Sequence, residues 1–525
     1  MPPMDEERRL VRSAGVMSFM TLLSRVFGYV RDNLQAQILG ASRSADAFII
    51  AFRIPNLLRR LVGEGAFTAA FVPTLSDYHK PEKRQELWQF AALTFWTMAC
   101  VLAVLTALGI IFSPELVKLL ASGFLGIEGK WDLTVSLNRL MFPYLLFIGL
   151  AALVQGILNV NGSFAVPAFT PVLLNLSIIA AAMTLSPFVS DPAYAFAWGV
   201  LVGGALQLGF QIPFLLKMGM RFPLRVSFSH PGIRQIGRLM LPGLFGMGIT
   251  QITLLVDSFF ASFLKEGSVA ALYYSGRVNE LALGSFAISV STVILPAMSR
   301  QAAEGRMEEM RRTLLYGLRV VAFITLPASV GLFLLRNPII SVLFEHGRFS
   351  AEDTAYTAHA LMFYSLGLLP FGAVKILAPA FYSQKDTRTP AVLAAWTLGA
   401  HLVLCPTLSH FMAHGGIALA DSLSASLNMI LLMTVFARRH GLPWVKELAL
   451  PVLRPLLASV VMGVVAISVL GWFGSLFTGV PMGRAAALFS TLGTAAAAYF
   501  LTCRLLGVRE MHDVLAALPL RRPRK

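Results

Sequence analysis

Charge is scarce in this chain. Asp, Glu, Lys and Arg make up 13% of its 525 residues, about half the share of a soluble domain. With 56% hydrophobic residues and a mean hydropathy of +0.70, that shortage excludes a soluble protein and points to a polytopic membrane protein. Cysteine is scarce too. Cys100, Cys405 and Cys503 lie far apart in apolar stretches, which excludes a disulfide framework or metal spacing and predicts small hydrophobes in packing. The chain lacks a nucleophile elbow, a phosphate loop and paired catalytic carboxylates. Its nine histidines show no zinc spacing, and His346, His410 and His414 read as loop positions. No enzyme and no cofactor are expected. Nor is a cleavable signal peptide expected: Met1 to Arg12 is polar and the apolar run behind it has no small-residue cleavage site.

What the chain has instead is long apolar runs. About fourteen segments can cross a hydrocarbon core of roughly 30 Å: 15–39, 45–75, 90–112, 140–158, 168–185, 193–216, 239–263, 269–294, 314–335, 356–381, 391–408, 416–437, 453–472 and 485–506. With the N-terminus in the cytoplasm, about 26 Lys and Arg fall in cytoplasmic segments and 7 in outer loops (Arg43, Lys118, Lys130, Lys265, Arg336, Arg348 and Arg484). That asymmetry predicts two cytoplasmic termini. It also accounts for most of the +16 net charge, so nucleic acid is not an expected partner. The basic tail RRPRK has some affinity for anionic lipid heads.

The chain echoes itself. AFRIPNL around Arg53 is answered by SGRVNEL around Arg277 (277 − 53 = 224), Pro73 by Pro296 (223), Asp32 by Asp257 (225) and Pro167 by Pro390 (223). An even number of helices per unit predicts parallel repeats. The expected fold is all-α, with two pseudo-symmetric six-helix lobes, residues 1–225 and 226–445, and an extra two-helix pair with a basic cytoplasmic tail, 446–525. The first two helices of each lobe would line a central cavity.

Charge appears where it is expensive. Arg25, Arg31, Arg59 and Arg277 interrupt apolar runs, and an arginine at mid-membrane costs roughly 2.5–3.5 kcal/mol on insertion scales. Such residues face wet cavities and mark pathways. Their planar forks hold phosphate in two parallel hydrogen bonds, so the passenger is expected to be anionic and phosphorylated. Gly28 would bend the first helix and bring Arg25 and Arg31 together. Asp46, Arg53, Arg60 and Glu64 fall on one helical face, and Pro55 leaves open whether Arg59 or Arg60 turns inward. Arg277 and Glu280 share a face at i, i+3. These charges can also pair with one another, Asp32, Asp46, Glu64 and Glu280 being the available carboxylates. Carboxylates can hold the arginines until a phosphate displaces them. Lys375 reads equally as a cavity residue or a snorkelling one. Asn159 and Asn175 read as caps or interhelical bonds.

SRVFGYVRD, ADAF and PNLLRRLVGEGAFTAAFVP, between Ser24 and Pro73, with QGILN (155–159), YYSGRVNE (273–280) and KILAPAFYSQKDTRTP (375–390), closely resemble the MurJ (MviN) family of lipid II flippases, of the superfamily that holds the MATE exporters. The resemblance implies a fourteen-helix protein of the bacterial inner membrane. It would carry lipid II, an undecaprenyl-pyrophosphate glycopeptide, from the cytoplasmic to the outer leaflet for peptidoglycan synthesis, among membrane lipids and cell-wall synthases. Arg25, Arg31, Arg59 and Arg277 match the family's required arginines, which favours Arg59 over Arg60, and Asp46, Glu64 and Glu280 match acidic cavity positions. The two extra helices would help form a groove for the polyprenyl tail. Gly276 stands where the family often has aspartate. Asp257 is a sodium candidate, but the eleventh helix offers no carboxylate or asparagine to complete a site, and Asp421 and Ser422 of the twelfth compensate only in part. Two alternatives remain: a flippase for another polyprenyl-linked glycan, and a non-transporting lipid II-binding scaffold.

Overall fold

The computed structural model describes residues 4–60, 66–78, 84–284, 287–440, 444–476, 481–511 and 513, and among them every regular element is a helix. The first nine α-helices are α1 (Met4–Leu39), α2 (Arg43–Arg59), α3 (Ala66–Ser76), α4 (Arg84–Ile111), α5 (Ser113–Ala121), α6 (Lys130–Met141), α7 (Tyr144–Val160), α8 (Ala165–Leu185) and α9 (Ala193–Lys217). There follow α10 (Pro231–Ser262), α11 (Ser268–Gly284), α12 (Ala287–Ala303), α13 (Met307–Leu334), α14 (Arg336–Phe344), α15 (Ala351–Leu366), α16 (Leu368–Tyr382) and α17 (Arg388–His440). Last come α18 (Trp444–Leu476) and α19 (Pro481–Leu505).

The lag seen in the sequence recurs in this order of helices. α4 and α13 open 307 − 84 = 223 residues apart, α5 and α14 336 − 113 = 223, and α7 and α16 368 − 144 = 224. α8 and α17 open 388 − 165 = 223 apart, and α1 and α10 close 262 − 39 = 223 apart. α17 is two helices joined at Ala413 (φ 50°, ψ −135°), so it answers α8 and α9 together. The joint is tight: a Cβ added to Gly416 would lie 2.1 Å from the Leu408 carbonyl oxygen.

Every expected apolar segment is built mainly of helix where it is described, with turns at Phe142–Pro143 inside 140–158 and at Gly367 inside 356–381. Among the described residues, eight helical stretches are long and apolar enough to cross a bilayer, and α15 with α16 passes as a ninth, bent by 42°. Large apolar side chains stand exposed on them at helical spacing: Val101, Val104, Leu105, Leu108 and Ile111 on α4, and Leu453, Leu456, Leu457, Val460, Val461 and Val464 on α18. In water such stripes would drive aggregation; in a bilayer they meet acyl chains, which are as apolar as leucine. Close helix packing then needs small residues. Gly199 and Gly203 of α9 supply them against α8: a Cβ would come within 2.6 Å of the Ile178 Cα and 2.7 Å of the Leu174 side chain.

The helices gather into two compact units. One comprises residues 1–270 with 346–349, the other 271–345 with 350–525. Phe71, Leu102, Leu145, Leu153 and Ile157 lie at the centre of the first core, and Met298, Met310, Leu314, Ile376 and Phe436 at the centre of the second. The boundary falls after Ala270, 45 residues beyond the expected 225 (270 − 225), because α10 packs on α3 and α5 of the first unit.

Candidate functional site

Each unit carries a charged cluster built on its own helices. In the first unit, α1 runs unbroken through Gly28. Asn175 of α8 lies opposite, and a Cβ on Gly28 would be 3.6 Å from the Asn175 Nδ2. Arg31 donates to Asp32 Oδ1 from Nε at 3.0 Å and from Nη2 at 2.6 Å, and to Asn175 Oδ1 from Nη1 at 3.1 Å. Asn175 Nδ2 donates in turn to the Ser24 carbonyl at 3.1 Å. One side-chain amide thus holds both the arginine and the turn of α1 that bears Arg25. Arg25 itself is exposed.

On α2, Arg53 donates through Nη1 to Ser258 Oγ and, at 3.3 Å, to the Leu254 carbonyl of α10. α2 continues through Pro55 to Arg59. Arg59 Nε donates to Asn56 Oδ1 at 2.9 Å, and Arg59 and Arg60 are both half-buried. Glu64 lies outside the described residues.

Asp46 does not keep the company its spacing predicts. It is 1% exposed, and it sits in the first turn of α2, where that helix meets α6 and residues 267–270. Its Oδ2 accepts from Lys130 Nζ at 2.8 Å and from the Gly267 amide at 2.8 Å, and its Oδ1 accepts from the Ala270 amide at 2.9 Å. Both oxygens are committed within the protein, so Asp46 is an enclosed anchor and not a carboxylate of an open cavity face. Lys130, read in the sequence as an outer-loop cation, is equally enclosed at 1%, and its ammonium lies 4.1 Å from the centroid of the Phe124 ring.

In the second unit, α11 carries Tyr273, Arg277 and Glu280 in line. Arg277 Nη1 pairs with Glu280 Oε2 at 3.0 Å, Nη2 donates to Tyr273 Oη at 3.3 Å, and the guanidinium lies 5.1 Å from the tyrosine ring centroid. The pair is open, with the arginine side chain 35% and the glutamate 67% exposed. A more highly charged anion can therefore compete for this arginine at small cost, since exposed pairs contribute about 0–1 kcal/mol. Lys375 of α16 is half-buried and interacts electrostatically with Glu280, while its carbonyl accepts from Ser291 Oγ of α12 at 2.8 Å.

Asp257 is buried in α10. Its neighbour Ser258 already accepts from Arg53, so that turn offers one carboxylate beside a hydroxyl serving a fixed guanidinium. In the second unit, Ser422 Oγ donates to the Phe363 carbonyl at 2.7 Å. Asn175 makes the interhelical bonds its sequence position suggested, from α8 to Arg31 and to the Ser24 carbonyl of α1.

Comparison with known proteins adds to this geometry. The family model described as "Lipid II flippase MurJ" matches residues 35–483. A curated relative from Vibrio cholerae, named probable lipid II flippase MurJ, is 39% identical over 97% of this chain and 98% of its own length. One from Burkholderia cenocepacia, named lipid II flippase MurJ, is 37% identical over 82% of this chain and 84% of its own. Among solved structures, a lipid II flippase MurJ in an inward closed conformation superposes with a TM-score of 0.78 at 28% identity, over 93% of this chain and 99% of that one. An inward-facing MATE-family multidrug transporter superposes at 0.65 with 14% identity over 82% of this chain, which is a likeness of fold.

Proposed function

Since this chain belongs to the MurJ family of lipid II flippases, a family of multi-pass membrane transporters and not of enzymes, we propose that it moves lipid II from the cytoplasmic to the outer leaflet of the bacterial inner membrane. The observation that carries this reading is the match of 39% identity along nearly the full length of both chains. Fourteen spans with both termini in the cytoplasm complete the topology.

Lipid II is too polar at one end to cross a bilayer unaided. In this reading the pyrophosphate enters among Arg25, Arg31, Arg53, Arg59 and Arg277, while the polyprenyl tail stays in lipid. Asp32 and Glu280 hold Arg31 and Arg277 in place beforehand. A pyrophosphate brings more charge than either carboxylate and accepts the planar fork in two parallel hydrogen bonds, so it displaces them. The lobes then rock to open the site outward, the alternating-access scheme. With the cell interior negative, outward movement of an anion is downhill by roughly 2.3 kcal/mol per charge per 100 mV.

The test is leaflet accessibility of lipid II in cells depleted of their own flippase and supplied with this protein. An externally added toxin that cleaves lipid II reports outer-leaflet substrate. Restored cleavage supports the reading. Absent cleavage with the protein inserted and abundant rejects it.

A further inference from the structure

Lys130 opens α6 directly after Glu128 and Gly129, both exposed. Water lies one residue away, and a lysine in such a place ordinarily extends its stem and keeps its head wet. Lys130 turns inward instead and is the one lysine or arginine classed as buried among the described residues. Only strong contacts offset the desolvation of an ammonium. Here they are the Asp46 carboxylate at 2.8 Å and the face of Phe124 at 4.1 Å.

What the pair achieves is seen from Asp46. The first amides of a helix have no partner within it and attract an anion. For α11, which opens at Ser268, that anion comes from α2: Asp46 accepts from the Gly267 and Ala270 amides. The grip is close. Gly267 has φ +86°, and a Cβ there would lie 2.3 Å from the Ala41 carbonyl oxygen. The Arg43 amide donates to Glu266 Oε1 at 2.6 Å. Arg277 follows Ala270 by seven residues, about 10 Å along a rigid helix.

We propose that Lys130 is a positioning residue for transport: it neutralises and orients Asp46, whose carboxylate anchors the start of the helix that bears Arg277. The proposal rests on the transport reading above. Lys130 acts through Asp46: without its ammonium the carboxylate loses the partner at 2.8 Å that holds it towards the Gly267 and Ala270 amides.

The experiment compares wild type, Lys130→Met and the double variant Lys130→Met/Asp46→Leu. Each is tested in the flippase-depleted cells with the lipid II-cleaving toxin, and each purified protein is tested by thermal unfolding and hydrogen exchange. Lys130→Met is expected to lower outer-leaflet lipid II at least tenfold and to speed exchange across 267–270 at least tenfold, with exchange in α18 and α19 unchanged. The double variant, which buries no charge, is expected to recover thermal stability but neither amide protection nor transport. Should Lys130→Met not accumulate, the double variant carries the comparison alone. Recovery of transport together with stability in the double variant would overturn the proposal, since the pair would then serve folding only. Wild-type transport in Lys130→Met would overturn it too. Failure of wild type to restore cleavage would instead reject the transport reading itself.

Discussion

Arg31 and Asn175 stand 144 residues apart in sequence and meet at 3.1 Å, Nη1 donating to Oδ1. The same amide donates to the Ser24 carbonyl, so one side chain fixes both an arginine and the backbone that presents another. Asn175→Leu removes both bonds and leaves polar groups of α1 short of a partner. It is expected to lower stability by about 1–2 kcal/mol, read by thermal unfolding in detergent, and to reduce lipid II transport.

Arg277→Ala should separate transport from folding. The pair with Glu280 is exposed and contributes about 0–1 kcal/mol, so membrane insertion and thermal midpoint should stay near wild type. Toxin-accessible lipid II should fall to the level of cells without a flippase. Retained cleavage would remove Arg277 from the mechanism.

Gly267→Ala meets two obstacles at one position, a left-handed backbone and the Ala41 carbonyl oxygen in the path of the new Cβ. Strained backbone of this kind costs of order 1–3 kcal/mol, and the overlap adds to it. A loss of more than about 2 kcal/mol in a denaturation series is the expected result. An unchanged midpoint would mean that this corner yields freely.

Asp386 lies in the short connection between α16 and α17. Burial raises its pKa, but bonds from the Thr389 hydroxyl and amide and from Arg439 outweigh that and hold it down at about 2, against 3.8 for the free group. Its folded value is depressed, so its stabilising contribution is present above the unfolded value and is lost as pH falls from about 3.8 towards about 2. Wild type should therefore unfold at a higher temperature than Asp386→Asn at pH 6, and the two midpoints should converge across that acid window. A constant difference down to pH 2 would contradict the assignment.

Arg484→Ala should be nearly silent. Arg484 pairs with Glu345 at 2.8 Å, but its side chain is 62% exposed. Such pairs contribute less than about 1 kcal/mol and are screened by salt. The expected change in thermal midpoint is small and vanishes at high ionic strength.

Much of this was legible in the sequence, and for definable reasons. Apolar runs and the 224-residue lag are properties of the chain taken alone, and both reappear as helices in the expected order. Arginines inside apolar runs stand out because their cost does not depend on the fold. Three features were hidden. Asp46 reads as a cavity residue because spacing along α2 says which face it shares but not that a lysine 84 residues away closes over that turn. Lys130 reads as a loop cation because hydropathy averages over a window, and whether one long side chain bends inward is decided by tertiary neighbours. The packing of α10 was hidden for a different reason, since internal similarity records descent and not contact.

That difference bears on how the protein is made. If the two halves descend from one duplicated gene, the seam of ancestry lies near residue 225, yet the first unit holds residues up to 270. During synthesis the residues of the first unit are not all made when its own repeat has left the ribosome: α10 and, later, 346–349 are still to come. A chain cut at the ancestral seam would separate α10 from the helices it packs on, so two-fragment complementation should work better with a cut placed after α10 than with one placed before it.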